Sequence, residues 1–253
     1  MILISVRGGI CVPRFFLDHD QIGSSTAVLT GAQAAHARVL RLRSGDIVTL
    51  CDGAGMDYIC RVTEISSNQV ALAIENTVQS ITEAAVSASV YMAFAKGDKI
   101  EHVIQKATEL GANEIVLYPS SRCVAKNDEK MLEKKLVRWR KIAFSAAEQS
   151  GRGRIPDVLA VESFNQAVSR ASAADLSILF YENERSRTLS DALRDSYSTI
   201  SLMTGPEGGF STEEVLLATD AGLQICTLGS RILRCETAPL CALSAVMFAS
   251  GEF

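Results

Sequence analysis

From Val86 to the C-terminus, short and almost wholly apolar runs alternate with stretches whose apolar residues recur every three or four positions. The runs are "VSASVYMAF", "EIVLYPS", "LSILFYE", "ISLMTG" and "LQICTLG". Between and after them lie "KIEHVIQKATELG", "EKMLEKKLVRWRKIAFSAAEQ", a stretch from Thr212, and "PLCALSAVMFAS". Strands that are apolar on both sides suit a parallel sheet covered by helices on both faces, which predicts an α/β domain over 86–253. On the long helix, Leu132, Leu136, Trp139, Ala143 and Ala146 form one stripe for burial, leaving Lys134, Lys135, Arg138 and Lys141 largely outside it.

The pattern before residue 86 is different. Residues 13–78 carry β-prone, partly alternating runs (Ile47–Leu50, Tyr58–Val62, Val70–Ile74) separated by Asp-Gly and Gly-x-Gly turns, a pattern that predicts a small β-barrel. One short helix, "TGAQAAHARVLRLRSGD", precedes these runs and is expected to end near Gly45. Residues 79–85, "QSITEAA", read as a linker, and 1–12 as an N-terminal extension.

With 47% apolar residues the chain has material for a substantial core, and no apolar run reaches the roughly 20 residues needed to cross a bilayer. The start lacks the charge order and cleavage site of a secretory signal, so a cytoplasmic protein is expected. The seven cysteines are scattered without a Cys-x-x-Cys pair, and His19, His36 and His102 are isolated. Neither a disulfide framework nor a metal site is expected. Net charge is −4, yet the segment from Ser120 to Pro156 holds ten Lys or Arg residues against four acids. Such a stripe either steers a polyanion or is simply a solvated helix face.

Two glycine-led segments carry the chemistry. In "LMTGPEGGFSTEEV" (202–215) an apolar strand stops at Gly205-Pro206, where glycine permits close approach and unusual φ. Ser211-x-x-Glu214 then has the form of a capping box opening a helix. In "LGSRILRCETAPL" (228–240), Arg231, Arg234 and Glu236 crowd together before an apolar helix that Thr237 could cap and Pro239 could begin. Loops at the carboxyl ends of parallel strands are where ligands bind, so the two would form walls of one pocket. There is no G-x-G-x-x-G after an early strand and no Walker lysine. Glu207 suits an adenosine ligand bearing a positive centre better than a triphosphate.

These two segments, with "KGDKIEHVIQKATELGANEIVLYPSSRC", "SAAEQSGRGRIP" and "PRFFL…HARVLRLRSGD", resemble in matching order the bacterial 16S rRNA uridine N3-methyltransferases of the SPOUT superfamily. The chain departs from the usual family pattern at Ser121 (commonly Glu), Ser230 (commonly Pro) and Cys235 (commonly Thr). The resemblance implies an N-terminal PUA-like barrel, a C-terminal α/β domain with a trefoil knot, S-adenosylmethionine as cofactor, 16S rRNA of the small ribosomal subunit as substrate, and a homodimer. It assigns cofactor binding to Leu202, Met203, Thr204, Gly205, Pro206, Glu207 and Gly208 in the first segment. In the second it assigns Leu228, Gly229, Ser230, Ile232, Leu233, Arg234 and Thr237.

Uracil N3 carries an imide proton, so catalysis must handle a developing anion while the methyl donor needs little activation. Arg234 is expected to stabilise uracil oxygen charge, and Glu236 to accept the proton or orient Arg234. A purely structural Arg234–Glu236 ion pair is the alternative. RNA phosphate is expected at Arg14, Arg38, Arg41, Arg122, Lys134, Arg138, Arg152 and Arg154. A 2′-O-ribose methyltransferase of the same superfamily and a non-catalytic RNA-binding or assembly factor remain as rival readings.

Overall fold

The computed structural model describes residues 12–17, 21–123 and 129–253. The expected N-terminal extension apart from Val12, with His19 and Lys126, lies outside the described residues. The chain divides into two compact units, one comprising residues 1–83 and 147–155, the other 84–146 and 156–253.

The first unit is a bulged five-stranded sheet. Its elements are β1 (Arg14–Phe16), β2 (Thr26–Thr30), α1 (Gly31–Val39), β3 (Ile47–Cys51), β4 (Met56–Ile65) and β5 (Gln69–Gln79), in the sheet order β1-β3-β4-β5-β2. β1 lies parallel to β3; the other pairings are antiparallel. The period-two alternation of a half-buried sheet is visible in the core, where Val48, Leu50, Cys60, Val62, Val70 and Leu72 join Phe15, Leu29 and Ala37. Helix α1 ends earlier than the sequence suggests. Arg41 takes φ 57°, the Leu42 amide donates to Ala37 O at 3.2 Å and the Arg41 amide to Arg38 O at 2.9 Å. This is a Schellman closure with arginine where glycine is usual.

The segment 147–155 belongs to this unit, whereas the sequence reading left it in the C-terminal domain. One carboxylate explains the difference. Glu83 Oε1 accepts from the Gly153 and Arg154 amides at 2.9 and 3.1 Å, and Glu83 Oε2 pairs with Arg152 Nη2 at 2.5 Å. Arg152 is 4% exposed. Arg14 is likewise enclosed, donating to Cys51 Sγ and Gly151 O, both at 2.7 Å, and pairing with Asp57. Guanidinium groups committed in this way face structural partners within the first unit, where the sequence reading expected Arg14 and Arg152 to meet RNA phosphate.

The second unit is a six-stranded sheet, parallel at every pairing, in the order β11-β9-β10-β6-β7-β8. The strands are β6 (Ser87–Ala93), β7 (Glu114–Tyr118), β8 (Asp157–Ala160), β9 (Leu176–Phe180), β10 (Thr199–Thr204) and β11 (Gln224–Cys226). The helices are α2 (Lys99–Glu109), α3 (Glu129–Ser150), α4 (Phe164–Ala171), α5 (Leu189–Ala192), α6 (Thr212–Asp220) and α7 (Ala238–Ala249). Successive strand residues feed opposite cores. Val90, Met92, Ile115, Leu117 and Leu202 pack with α2, α3 and α7 residues on one face. Tyr91, Ala93, Val116, Tyr118 and Met203 pack with α4 and α6 residues on the other. Two filled faces are why these strands read as continuous apolar runs. On α3, Trp139, Ala143 and Ala146 are buried while Lys134, Arg138 and Lys141 are exposed, as the stripe predicts.

Candidate active site

The loops following β9, β10 and β11, together with the start of α2, line one cavity of about 530 Å³ at the carboxyl ends of the strands. That volume lies in the range of small-molecule and cofactor sites. The end of β10 is pinned on both sides: Tyr118 Oη donates to Thr204 O at 2.7 Å, and Thr204 Oγ1 to Tyr91 O at 3.2 Å. The chain then turns through Gly205, where a Cβ would stand 3.2 Å from the ring of Phe210, itself 1% exposed. Gly209 takes φ 67°, and a Cβ there would collide with the Glu182 carboxylate. Only glycine fits that corner without strain.

The turn closes into α6 through the capping box that the sequence suggests. Glu214 N donates to Ser211 Oγ at 3.3 Å and Ser211 N to Glu214 Oε2 at 2.9 Å. Glu214 also receives Ser121 N at 2.8 Å and Ser121 Oγ at 3.0 Å. The serine that replaces the usual acid at 121 therefore serves this cap.

The second wall begins at Thr227, whose hydroxyl receives the Gly229 amide at 3.2 Å while Gly229 takes φ 105° over open space. Arg234 O accepts the Thr237 and Ala238 amides at 2.8 and 2.9 Å, turning the chain into α7. Thr237 does not cap with its side chain; Pro in the first turn of α7 carries that end. Thr204 to Gly208, Leu228, Gly229, Ile232, Leu233, Arg234 and Glu236 all line the cavity. Leu202, Met203, Ser230 and Thr237 lie outside its lining. The side chains of the first two are fully buried in the opposite cores, so the lining of this wall starts at Thr204.

The electrostatics are divided between interior and lip. Inside, Lys99 at the start of α2 donates to Glu207 Oε1 at 2.8 Å and lies 3.7 Å from Glu236 Oε2. Among the described residues the ion-pair partner of Glu236 is Lys99, so the Arg234–Glu236 pair considered from sequence does not form. Burial alone would raise the Glu236 carboxyl. Its own amide, the Cys235 thiol at 3.2 Å and the Lys99 and Arg234 charges outweigh burial and hold it below the usual value. The Glu207 carboxyl is also lowered, with burial opposed chiefly by the Lys99 hydrogen bond. Burial, then the hydrogen bond to Glu236, pushes the Cys235 thiol up to about 12, so it stays protonated as a donor. At the lip, Arg185, Arg231 and Arg234 are exposed.

Sequence reasoning overlooked Lys99, Glu182 and Arg185. Lys99 sat inside a quoted motif, three residues after Lys96, and a pairing with Glu207 is invisible without the fold. Of the arginines assigned to RNA, Arg38, Arg41, Arg122, Arg138 and Arg154 are exposed, as is Lys134. Arg122 Nη1 donates to Gly208 O at 3.1 Å, and Arg138 pairs with Glu101 at 2.6 Å. Among the described residues no cluster of metal-ligating side chains occurs, and no helix is long and apolar enough to cross a membrane.

The cavity fits S-adenosylmethionine. Apolar side chains (Phe180, Pro206, Leu228, Leu233) suit an adenine ring, glycine corners expose main-chain donors and acceptors, and Glu182, Glu207 and Glu236 suit a cationic ligand.

Comparison with known proteins agrees. The RNA methyltransferase domain family matches residues 82–247, and the RNA methyltransferase PUA domain family matches 29–75. Ribosomal RNA small subunit methyltransferase E of Bacillus subtilis is 36% identical over 93% of this chain and 96% of its own length. Its Synechocystis counterpart is 34% identical over 92% of this chain and 76% of its own length. The crystal structure of the Neisseria gonorrhoeae enzyme of that name, bound to S-adenosylmethionine, superposes with a TM-score of 0.83 at 33% identity. It covers 94% of this chain and 97% of that one. An α/β methyltransferase unit preceded by a PUA-like unit, with this cavity at the strand ends, makes the chain a member of the ribosomal RNA small subunit methyltransferase E family.

Proposed function

We propose that the protein methylates N3 of a uridine in 16S rRNA of the small ribosomal subunit, using S-adenosylmethionine. The observation that carries this reading is the meeting of both glycine-led loops around one cavity, with a carboxylate paired to Lys99 inside and exposed arginines at the lip. When bound, the cofactor supplies an electrophilic methyl group on a cationic sulfur. The main chain of Thr204–Gly208 and Leu228–Leu233 holds it, with Glu182 as an acceptor for its hydroxyl or ammonium groups.

Glu236, lowered in pKa and thus ionised at neutral pH, accepts the N3 proton as the uracil ring becomes the nucleophile. Arg234, exposed at the lip, neutralises charge on a uracil oxygen. Electrostatic stabilisation of this kind in a partly dry site is worth several kcal/mol. Arg185 and Arg231 beside the opening engage flanking phosphates, while Arg38, Arg41, Arg122, Lys134, Arg138 and Arg154 contribute the more distant, sequence-independent attraction.

Two finer features belong to the same proposal: a trefoil knot in the C-terminal unit and a homodimer. The dimer is supported by α7, which is apolar nearly all round yet leaves Phe248 72% exposed. The test is to incubate small subunits with the protein and methyl-labelled cofactor, then digest the rRNA to nucleosides. Label in 3-methyluridine supports the proposal; label in 2′-O-methylated nucleosides, or none, refutes it.

A further inference from the structure

The ammonium of Lys99 touches both cofactor loops. It donates to Glu207 Oε1 in the β10–α6 loop at 2.8 Å. It also reaches Cys235 Sγ and Glu236 Oε2 in the β11–α7 loop, both at 3.7 Å. The ammonium thus donates to Glu207 and Cys235 and pairs with the charge of Glu236, and a second donor, the Lys96 amide, supports Glu207 at 3.4 Å. The cluster is half-sheltered, with side-chain exposures of 27% for Lys99, 30% for Glu207 and 22% for Glu236. One cation thus serves two carboxylates from different loops, and each favours its charged form while the cation is beside it.

We propose that Lys99 is a positioning residue that clamps the two cofactor loops together and holds Glu236 in place for proton acceptance. It touches neither of the reacting atoms. It acts through Glu236, and through the loop spacing that the cofactor must find ready-made. The inference rests on the assignment of Glu236 as the acceptor of the N3 proton. The charged and titratable groups acting on Glu236 are Cys235 and Arg234 from its own loop and Lys99 from α2, and Lys99 is shared with Glu207 of the opposite loop. Cys235 stays protonated, and Arg234 is exposed to solvent screening. Lys99 is divided between Glu236 and Glu207, so losing Lys99 and losing Glu207 act on Glu236 in opposite directions.

That opposition gives the test two signs. In Lys99→Met the cation beside Glu236 is gone, so Glu236 titrates higher, and the acid limb of the methylation rate moves up by about one pH unit. In Glu207→Gln the competing carboxylate is gone and Lys99 turns wholly to Glu236, so the acid limb moves down. Both variants open the clamp, and each weakens cofactor binding by calorimetry without RNA about tenfold. Lys99→Arg, which keeps the charge, restores most of the binding and the position of the limb. A structural lysine with no link to Glu236 would lower stability without moving either limb. The proposal is overturned if folded Lys99→Met binds the cofactor as wild type does, or if its acid limb stays in place. It is also overturned if both variants shift the limb in the same direction. Wild-type protein that binds no S-adenosylmethionine would instead remove the functional reading itself, a result distinguishable from failure of the clamp.

Discussion

At the scale of single residues, Glu236 is asked to do the most. A general base contributes about 10²- to 10⁴-fold to rate, so Glu236→Gln is predicted to lose at least about 100-fold in kcat. The amide retains most of the shape, so binding of S-adenosylmethionine should change little; comparing calorimetry with single-turnover methylation separates the two. The pH dependence has a definite sign. A carboxylate whose pKa is depressed is ionised above that pKa, so proton acceptance persists at neutral pH and is lost only below the ordinary Glu value of 4.5. An acid limb near neutrality in the wild type would contradict the role. Arg234 and Glu236 were legible from sequence as residue types placed close together, whereas their partners were not. The pairing of Glu236 with Lys99, 137 positions earlier in the chain, exists only because α2 packs against α7, whose entry loop carries Glu236. Glu182 had no local pattern to announce it, since its role follows from where Gly209 turns.

Among the secondary-structure elements, α1 offers the clearest prediction. Arg41 closes the helix with φ 57°, a conformation that costs a side-chain-bearing residue roughly 1–2 kcal/mol. Arg41→Gly is predicted to raise unfolding free energy by about 1 kcal/mol, net of the entropy glycine loses on folding, while removing one exposed cation. Chemical denaturation checks the first effect; destabilisation would show that the arginine side chain earns its place through contacts. The helix period of α3, the strands of both sheets and the capping box at Ser211 could be read from sequence because local spacing determines them. The end of α1 could not, since a glycine at 45 drew the boundary onward while the backbone had already reversed at Arg41. The allegiance of 147–155 was equally hidden, because it depends on Glu83 receiving donors from three residues 69 to 71 positions away.

For the molecule as a whole, the basic residues act collectively. If Arg231 engages a phosphate, Arg231→Ala reduces the slope of log affinity against log salt by about 0.7 for single-stranded RNA. An unchanged slope with weaker binding would assign Arg231 a non-ionic role. The burial of Arg14 and Arg152 predicts the opposite for them: their loss destabilises the N-terminal unit rather than flattening the slope. The α/β architecture was legible as a rhythm of apolar runs, and the cavity as two glycine-led loops. The order β11-β9-β10-β6-β7-β8, which brings those loops together, was reachable only through resemblance, because nothing in local periodicity encodes strand order.

The central claim is that the loops at Gly205 and Gly229 are two walls of one cofactor site. Calorimetric titration with S-adenosylmethionine of the wild type, Gly205→Val and Gly229→Val tests it most directly. The account predicts one site per chain and loss of that site in each folded variant, because a side chain at 205 strikes Phe210 and one at 229 is strained at φ 105°. Wild-type binding that survives either substitution intact would contradict it.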